Sequence, residues 1–117
     1  MSKRLHRERE ELYIMHAELC KLFTNPVRLK MLEALGGGEK TVQQLSLDIG
    51  ISQPNASQHL GLMRKAGVVR VRRDGNRVNY SLRNPKLLEA FNNMRNVLSD
   101  ILSERHSLMA SGGGREE

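Results

Sequence analysis

Between residues 52 and 83 the sequence sets short polar side chains and arginines in an order that suits contact with a polyanion. Ser52, Gln53, Asn55, Ser57 and Gln58 come first, clustered behind a helix-start signal. Arg64, Lys65, Arg70, Arg72, Arg73, Arg77 and Arg83 follow, against a lone Asp74. Amides and hydroxyls can donate and accept at base edges, whereas guanidinium groups pair with phosphate oxygens. Residues 1–51 hold 8 basic and 7 acidic side chains, and residues 84–117 hold 4 and 5. The net charge of +6 therefore resides in the middle segment. A solvated basic face would have the same composition, so position within the fold must decide between the two readings.

Other chemistry is sparse. Cys20 is the only cysteine, which excludes an intrachain disulfide and any zinc site built from several thiolates. His16 and Cys20 stand four apart on one helical face, with His6 upstream and His106 far downstream. They are candidate ligands for a metal or haem, set against the commoner reading of a cysteine that simply packs. No paired-carboxylate cluster, phosphate-cradling glycine loop or Ser/His/Asp arrangement can be placed, so an enzyme is not expected. Phe23, Phe91, Tyr13 and Tyr80 are the only aromatics, too few for a base-stacking platform. No apolar run approaches the roughly 20 residues that span a bilayer. Lys3, Arg4 and Arg7 have no apolar stretch behind them, so no signal peptide is expected, and a cytoplasmic location follows. No cofactor is expected.

These residues need elements to hold them. Leu12, Met15, Leu19, Leu22 and Phe23 recur at helical spacing from Glu8 to Phe23. Asn25-Pro26 opens a second helix that runs through Leu35 and stops at Gly36-Gly37-Gly38. Thr41 can cap a short third helix with Val42, Leu45 and Ile49 inward, and Gly50 suits the left-handed residue after it. Ser52 caps a fourth helix, 52–66, with Leu60, Leu62 and Met63 as its apolar positions. The period then changes: 68–73 and 77–82 alternate as strands around the hairpin signal Asp74-Gly75-Asn76. Asn84-Pro85 opens a last helix to about His106, with an apolar stripe from Leu87 to Leu102.

With its 117 residues, the chain thus predicts one small, mainly helical α+β domain, a winged helix-turn-helix in the order α-α-α-α-β-β-α. The expected boundaries are a flexible N-terminus over 1–7, the domain over 8–108 and a disordered tail over 109–117. All seven basic residues of the charged segment fall on the fourth helix, the two-strand wing at 68–83 or its exit. That coincidence favours double-stranded DNA as the partner.

The segments Phe23-Thr24-Asn25-Pro26-Val27-Arg28-Leu29-Lys30-Met31-Leu32, Ile51-Ser52-Gln53-Pro54-Asn55-Ala56-Ser57-Gln58-His59-Leu60 and the wing Arg73-Asp74-Gly75-Asn76-Arg77-Val78-Asn79-Tyr80-Ser81-Leu82 together resemble the ArsR/SmtB family of dimeric winged-helix transcriptional repressors. The resemblance covers about residues 15 to 100. It implies base contact by Gln53, Asn55, Ser57 and Gln58; Ser52 can meet a phosphate at the helix N-terminus, Arg72, Arg73, Asn76 and Arg77 at the wing tip suit phosphate or the minor groove, and Arg64 is a further expected DNA contact. Arg70 and Arg83 lie farther from the wing tip and are equally well explained as solvated; His59 suits packing or a phosphate better than base reading. The resemblance further implies a homodimer formed through the first and last helices, acting on an inverted-repeat operator. Sequence-independent DNA packaging or a protein-interaction role is the alternative.

The family's metal positions are poorly filled. Thr41 and Gln43 stand where arsenic- and cadmium-type members carry Cys-x-Cys. Asn84, Lys86, Val97 and Asp100 stand where zinc-type members place their ligands, and redox members need two cysteines. No metal site is therefore assigned. His16, Cys20 and His106 remain the only sensor candidates, and the effector is unknown.

Overall fold

The computed structural model describes residues 2–116, with side chains through Ser111. Its elements are α1 (Ser2–Leu22), α2 (Pro26–Leu35), β1 (Lys40–Thr41), α3 (Val42–Ile49), α4 (Gln53–Lys65), β2 (Val69–Asp74), β3 (Arg77–Leu82) and α5 (Lys86–Glu116). The chain divides after Asn84 into two compact units, so α5 is described by itself. The expected 8–108 domain is thus divided at the Asn84-Pro85 break that opens the last helix.

Local signals set most helix ends. Asn25 accepts the Val27 N–H at 2.8 Å ahead of Pro26, the first residue of α2. Thr41 and Gln44 form a reciprocal capping box at the start of α3, at 3.2 and 2.9 Å. Gly50 ends α3 at φ 80°, a backbone conformation that costs a side chain bearing Cβ. Ser52 caps α4 by accepting the Asn55 N–H at 3.2 Å.

The sheet has the order β1-β3-β2, all antiparallel. β2 and β3 pair from Val69–Leu82 to Asp74–Arg77, leaving the two-residue loop Gly75-Asn76. Gly75 has φ 62° and no non-glycine residue is positive among the described residues, the pattern of a type II′ turn. β1 corrects the expected order to α-α-β-α-α-β-β-α. Two residues are too few to show a period, and only pairing of Lys40 with Tyr80 and Thr41 with Asn79 defines the strand.

Met31, Leu32 and Leu35 of α2, Leu45 of α3 and Ala56, Leu60 and Met63 of α4 form the core with Phe23, Val68 and Val69. Leu62, expected among the apolar positions of α4, is 43% exposed: it lies half a turn away from Leu60.

Both terminal helices extend past the expected boundaries. α1 begins at Ser2 rather than near residue 8, because residues 2–7 continue a helix-forming run and Arg4 Nε pairs with Glu8 at 3.2 Å. α5 passes the expected boundary at 109, since Leu108, Met109 and Ala110 are good helix formers, and its backbone is helical to Glu116. What those expectations said of Met1, Glu117 and the side chains from 112 onward lies outside the described residues.

Candidate nucleic-acid interface

Burial of one face of α4 determines what the other can offer. Ala56, Leu60 and Met63, spaced four and three apart, are each fully buried. At 3.6 residues per turn, Gln58, Gly61 and Lys65 stand opposite that stripe, with Asn55 and Ser57 on its shoulders. Ser52, Gln53, Asn55, Ser57, Gln58 and Arg64 are all exposed. Lys65, exposed beside Arg64 in the last turn of α4, joins the candidate contacts. Gly61 also faces solvent, with nothing within 4 Å of where a Cβ would stand.

Ser52 does two things at the N-terminus of this helix. Its hydroxyl satisfies the Asn55 N–H, and the remaining first-turn N–H groups and helix dipole favour an anion there.

The wing presents its cations on both faces. Alternation along the strands puts Arg73 on one face of the ribbon and Arg77 on the other, beside the turn at Asn76. Arg72, Arg73, Asn76 and Arg77 are all exposed. Arg73, Arg77 and Arg70 make no ion pair among the described residues.

Arg72 differs. Its Nε and Nη2 donate to Oε2 and Oε1 of Glu39, each at 2.9 Å, and its Nη1 lies 3.8 Å from Asp74. The hydrogen bond from Arg72 holds the Glu39 carboxyl below its ordinary value, and the pair raises Arg72 in turn. Nothing in the sequence marked Glu39, because its partner stands 33 positions later.

His59 is tied into the fold by Arg28. Arg28 Nε donates to His59 Nδ1 at 3.1 Å, and Arg28 Nη1 donates to the Leu22 carbonyl at 3.0 Å. The imidazole must be neutral to accept. Burial first, and the Arg28 charge second, hold its pKa below the usual histidine value. The arginine of the Asn-Pro-x-Arg segment thus ties the end of α1 to α4.

The sensor candidates His16, Cys20 and His106 are exposed. Among the described residues, no group of three His, Cys, Asp or Glu side chains is arranged to hold a metal ion. No helix among them is long and apolar enough to cross a membrane.

A sequence profile described as bacterial regulatory protein, arsR family, matches residues 25–71, which span α2 to the middle of β2. The HTH-type transcriptional regulator Rv0081 of Mycobacterium tuberculosis is 41% identical over 103 residues, 87% of this chain and 90% of that protein. The chain belongs to the ArsR family of bacterial regulatory proteins. It is accordingly a winged helix-turn-helix, DNA-binding transcriptional regulator, with α3 and α4 as the helix-turn-helix and β2–β3 as the wing.

Solved structures of ArsR-type relatives agree. The crystal structure of Rv0081 matches with a TM-score of 0.72, covering 80% of this chain and 95% of that one. A homodimeric winged helix-turn-helix DNA-binding domain from Mycobacterium bovis matches at 0.74 with 26% identity, covering 82% and 89%. The transcriptional repressor BigR of Xylella fastidiosa matches at 0.65 with 32% identity, covering 80% and 92%.

Proposed function

We propose that the chain is a homodimeric transcriptional repressor that reads an inverted-repeat operator in double-stranded DNA. The carrying observation is the division of α4: it buries Ala56, Leu60 and Met63 and leaves Gln53, Asn55, Ser57 and Gln58 exposed at its N-terminal half. Those side chains suit base edges in the major groove, where amides and hydroxyls can distinguish base pairs. Ser52, Arg64, Arg73, Asn76 and Arg77 suit the phosphates or the minor groove and fix the register without reading sequence. The part played by Arg72 is a separate matter, because Glu39 already engages it.

Dimerisation through α1 and α5 is supported by their unpartnered apolar side chains. α1 buries none of its residues and exposes Leu5, Leu12, Tyr13, Ile14 and Met15. α5 exposes Met94, Val97, Leu98, Ile101, Leu102, Leu108 and Met109. Apolar surface on that scale calls for a partner, and a second copy fits both the two-fold symmetry of an inverted repeat and the homodimeric Mycobacterium bovis domain. The repressor role follows the naming of relatives such as BigR, and a regulator of DNA works in the cytoplasm.

The test is selection of bound duplexes from a random pool by the purified protein. An enriched inverted repeat with half-sites about one helical turn apart, or slightly more, is the expected result. Recovery of unenriched DNA would indicate sequence-independent binding and overturn the proposal.

A further inference from the structure

The cations of the three-stranded sheet are sorted by their acidic neighbours. Lys40 of β1 lies 2.6 Å from Asp48, and Arg72 of β2 is gripped by Glu39 through two parallel hydrogen bonds. Arg70, Arg73 and Arg77 make no such pair among the described residues. The Arg72 and Glu39 side chains are 56% and 40% exposed, and ion pairs that open to water add little to stability. Holding the fold together is therefore a weak explanation for a fork-to-fork pair between residues 33 apart. Its effect on surface charge is large by comparison. An arginine already paired with a carboxylate must give up that partner to neutralise a phosphate, so it adds less to the counterion release that supplies the sequence-independent part of DNA binding.

We propose that Glu39 is a positioning residue of the DNA-binding surface: by engaging Arg72 on the wing, it withholds one guanidinium from the DNA backbone. This rests on the DNA-binding reading above. Wing contact with phosphate then falls to Arg73 and Arg77. Removing the Glu39 charge releases Arg72 to make one additional phosphate contact in each protomer, with operator and random DNA alike.

Affinity for a random-sequence duplex, measured against potassium chloride from roughly 50 to 200 mM, reads the number of phosphates engaged. Glu39→Gln steepens the log–log salt slope by about 0.9 per protomer, so its advantage over the unaltered protein shrinks about 3.5-fold per protomer across that range. Arg72→Ala leaves the slope unchanged, and Glu39→Gln combined with Arg72→Ala restores the unaltered slope. Both side chains are exposed, so thermal unfolding of each variant stays close to that of the parent. A flatter slope in Arg72→Ala would show that Arg72 meets phosphate despite Glu39 and would overturn the inference. An unchanged slope, or weaker binding, in Glu39→Gln would overturn it equally. Failure of the unaltered protein to bind any duplex would instead bring down the DNA-binding reading, and this inference with it.

Discussion

Replacing Arg28 by alanine removes both hydrogen bonds that join the end of α1 to the recognition helix α4. The donor is a guanidinium, and each such bond is worth about 1.5–3 kcal/mol, with the lower end apt for a half-buried group. Losing both costs about 3–4 kcal/mol at that lower end. At roughly 4 °C per kcal/mol for a chain of this size, the thermal midpoint falls by about 12–16 °C. Urea unfolding at neutral pH measures the loss directly, and a cycle with His59→Ala isolates a coupling of about 1 kcal/mol. The pH dependence adds a second readout. Folded His59 titrates below the ordinary 6.5, so the unfolded chain takes the proton first as pH falls. Its contribution is whole above pH 6.5 and is lost as pH falls from there through the lowered folded value. In Arg28→Ala this acid loss shrinks without vanishing, because burial is the larger cause. A cost below about 0.5 kcal/mol, or a cycle without coupling, would refute the reasoning.

Arg73→Ala and Arg77→Ala should each weaken binding to every duplex and flatten the salt slope by about 0.9 per protomer, measured by fluorescence anisotropy. Gln53→Ala or Ser57→Ala should mainly erode the preference for operator over random DNA, by about 1–3 kcal/mol at a good base contact. Leu60→Ala, at a fully buried position, should cost about 2–5 kcal/mol in urea unfolding. Gly61→Ala should instead stabilise α4 by about 0.5–1 kcal/mol, since the added methyl meets nothing within 4 Å. A simultaneous loss of DNA affinity in that variant would place the outer face of α4 against the duplex.

What was legible in the sequence was what the chain encodes within a few residues. Asn25-Pro26, Thr41, Ser52 and Gly50 each set a helix end through neighbours at most four positions away, and the Gly75 turn needs only its own hairpin. Helical phase, which buries Ala56, Leu60 and Met63, leaves Asn55, Ser57 and Gln58 exposed on α4. Long-range pairing was not legible. β1 exists because Lys40 and Thr41 meet Tyr80 and Asn79, and no period in two residues announces it. Arg72 stands on the wing where a DNA contact is expected, and the structure adds a carboxylate partner from outside the charged segment. Arg28 and His59 stand 31 apart, so their bond is a product of how α2 and α4 are brought together rather than of spacing. Leu62 counts among the apolar residues of α4 by type, and helical phase turns it to solvent.

The central claim is that side chains of α4 read base sequence while the wing supplies charge. Competition at fixed salt between the selected operator and a random duplex of equal length tests it most directly. The operator should bind about a thousandfold or more tighter, with Gln53→Ala narrowing that ratio and Arg73→Ala lowering both affinities together. Equal affinity for the two duplexes would contradict it.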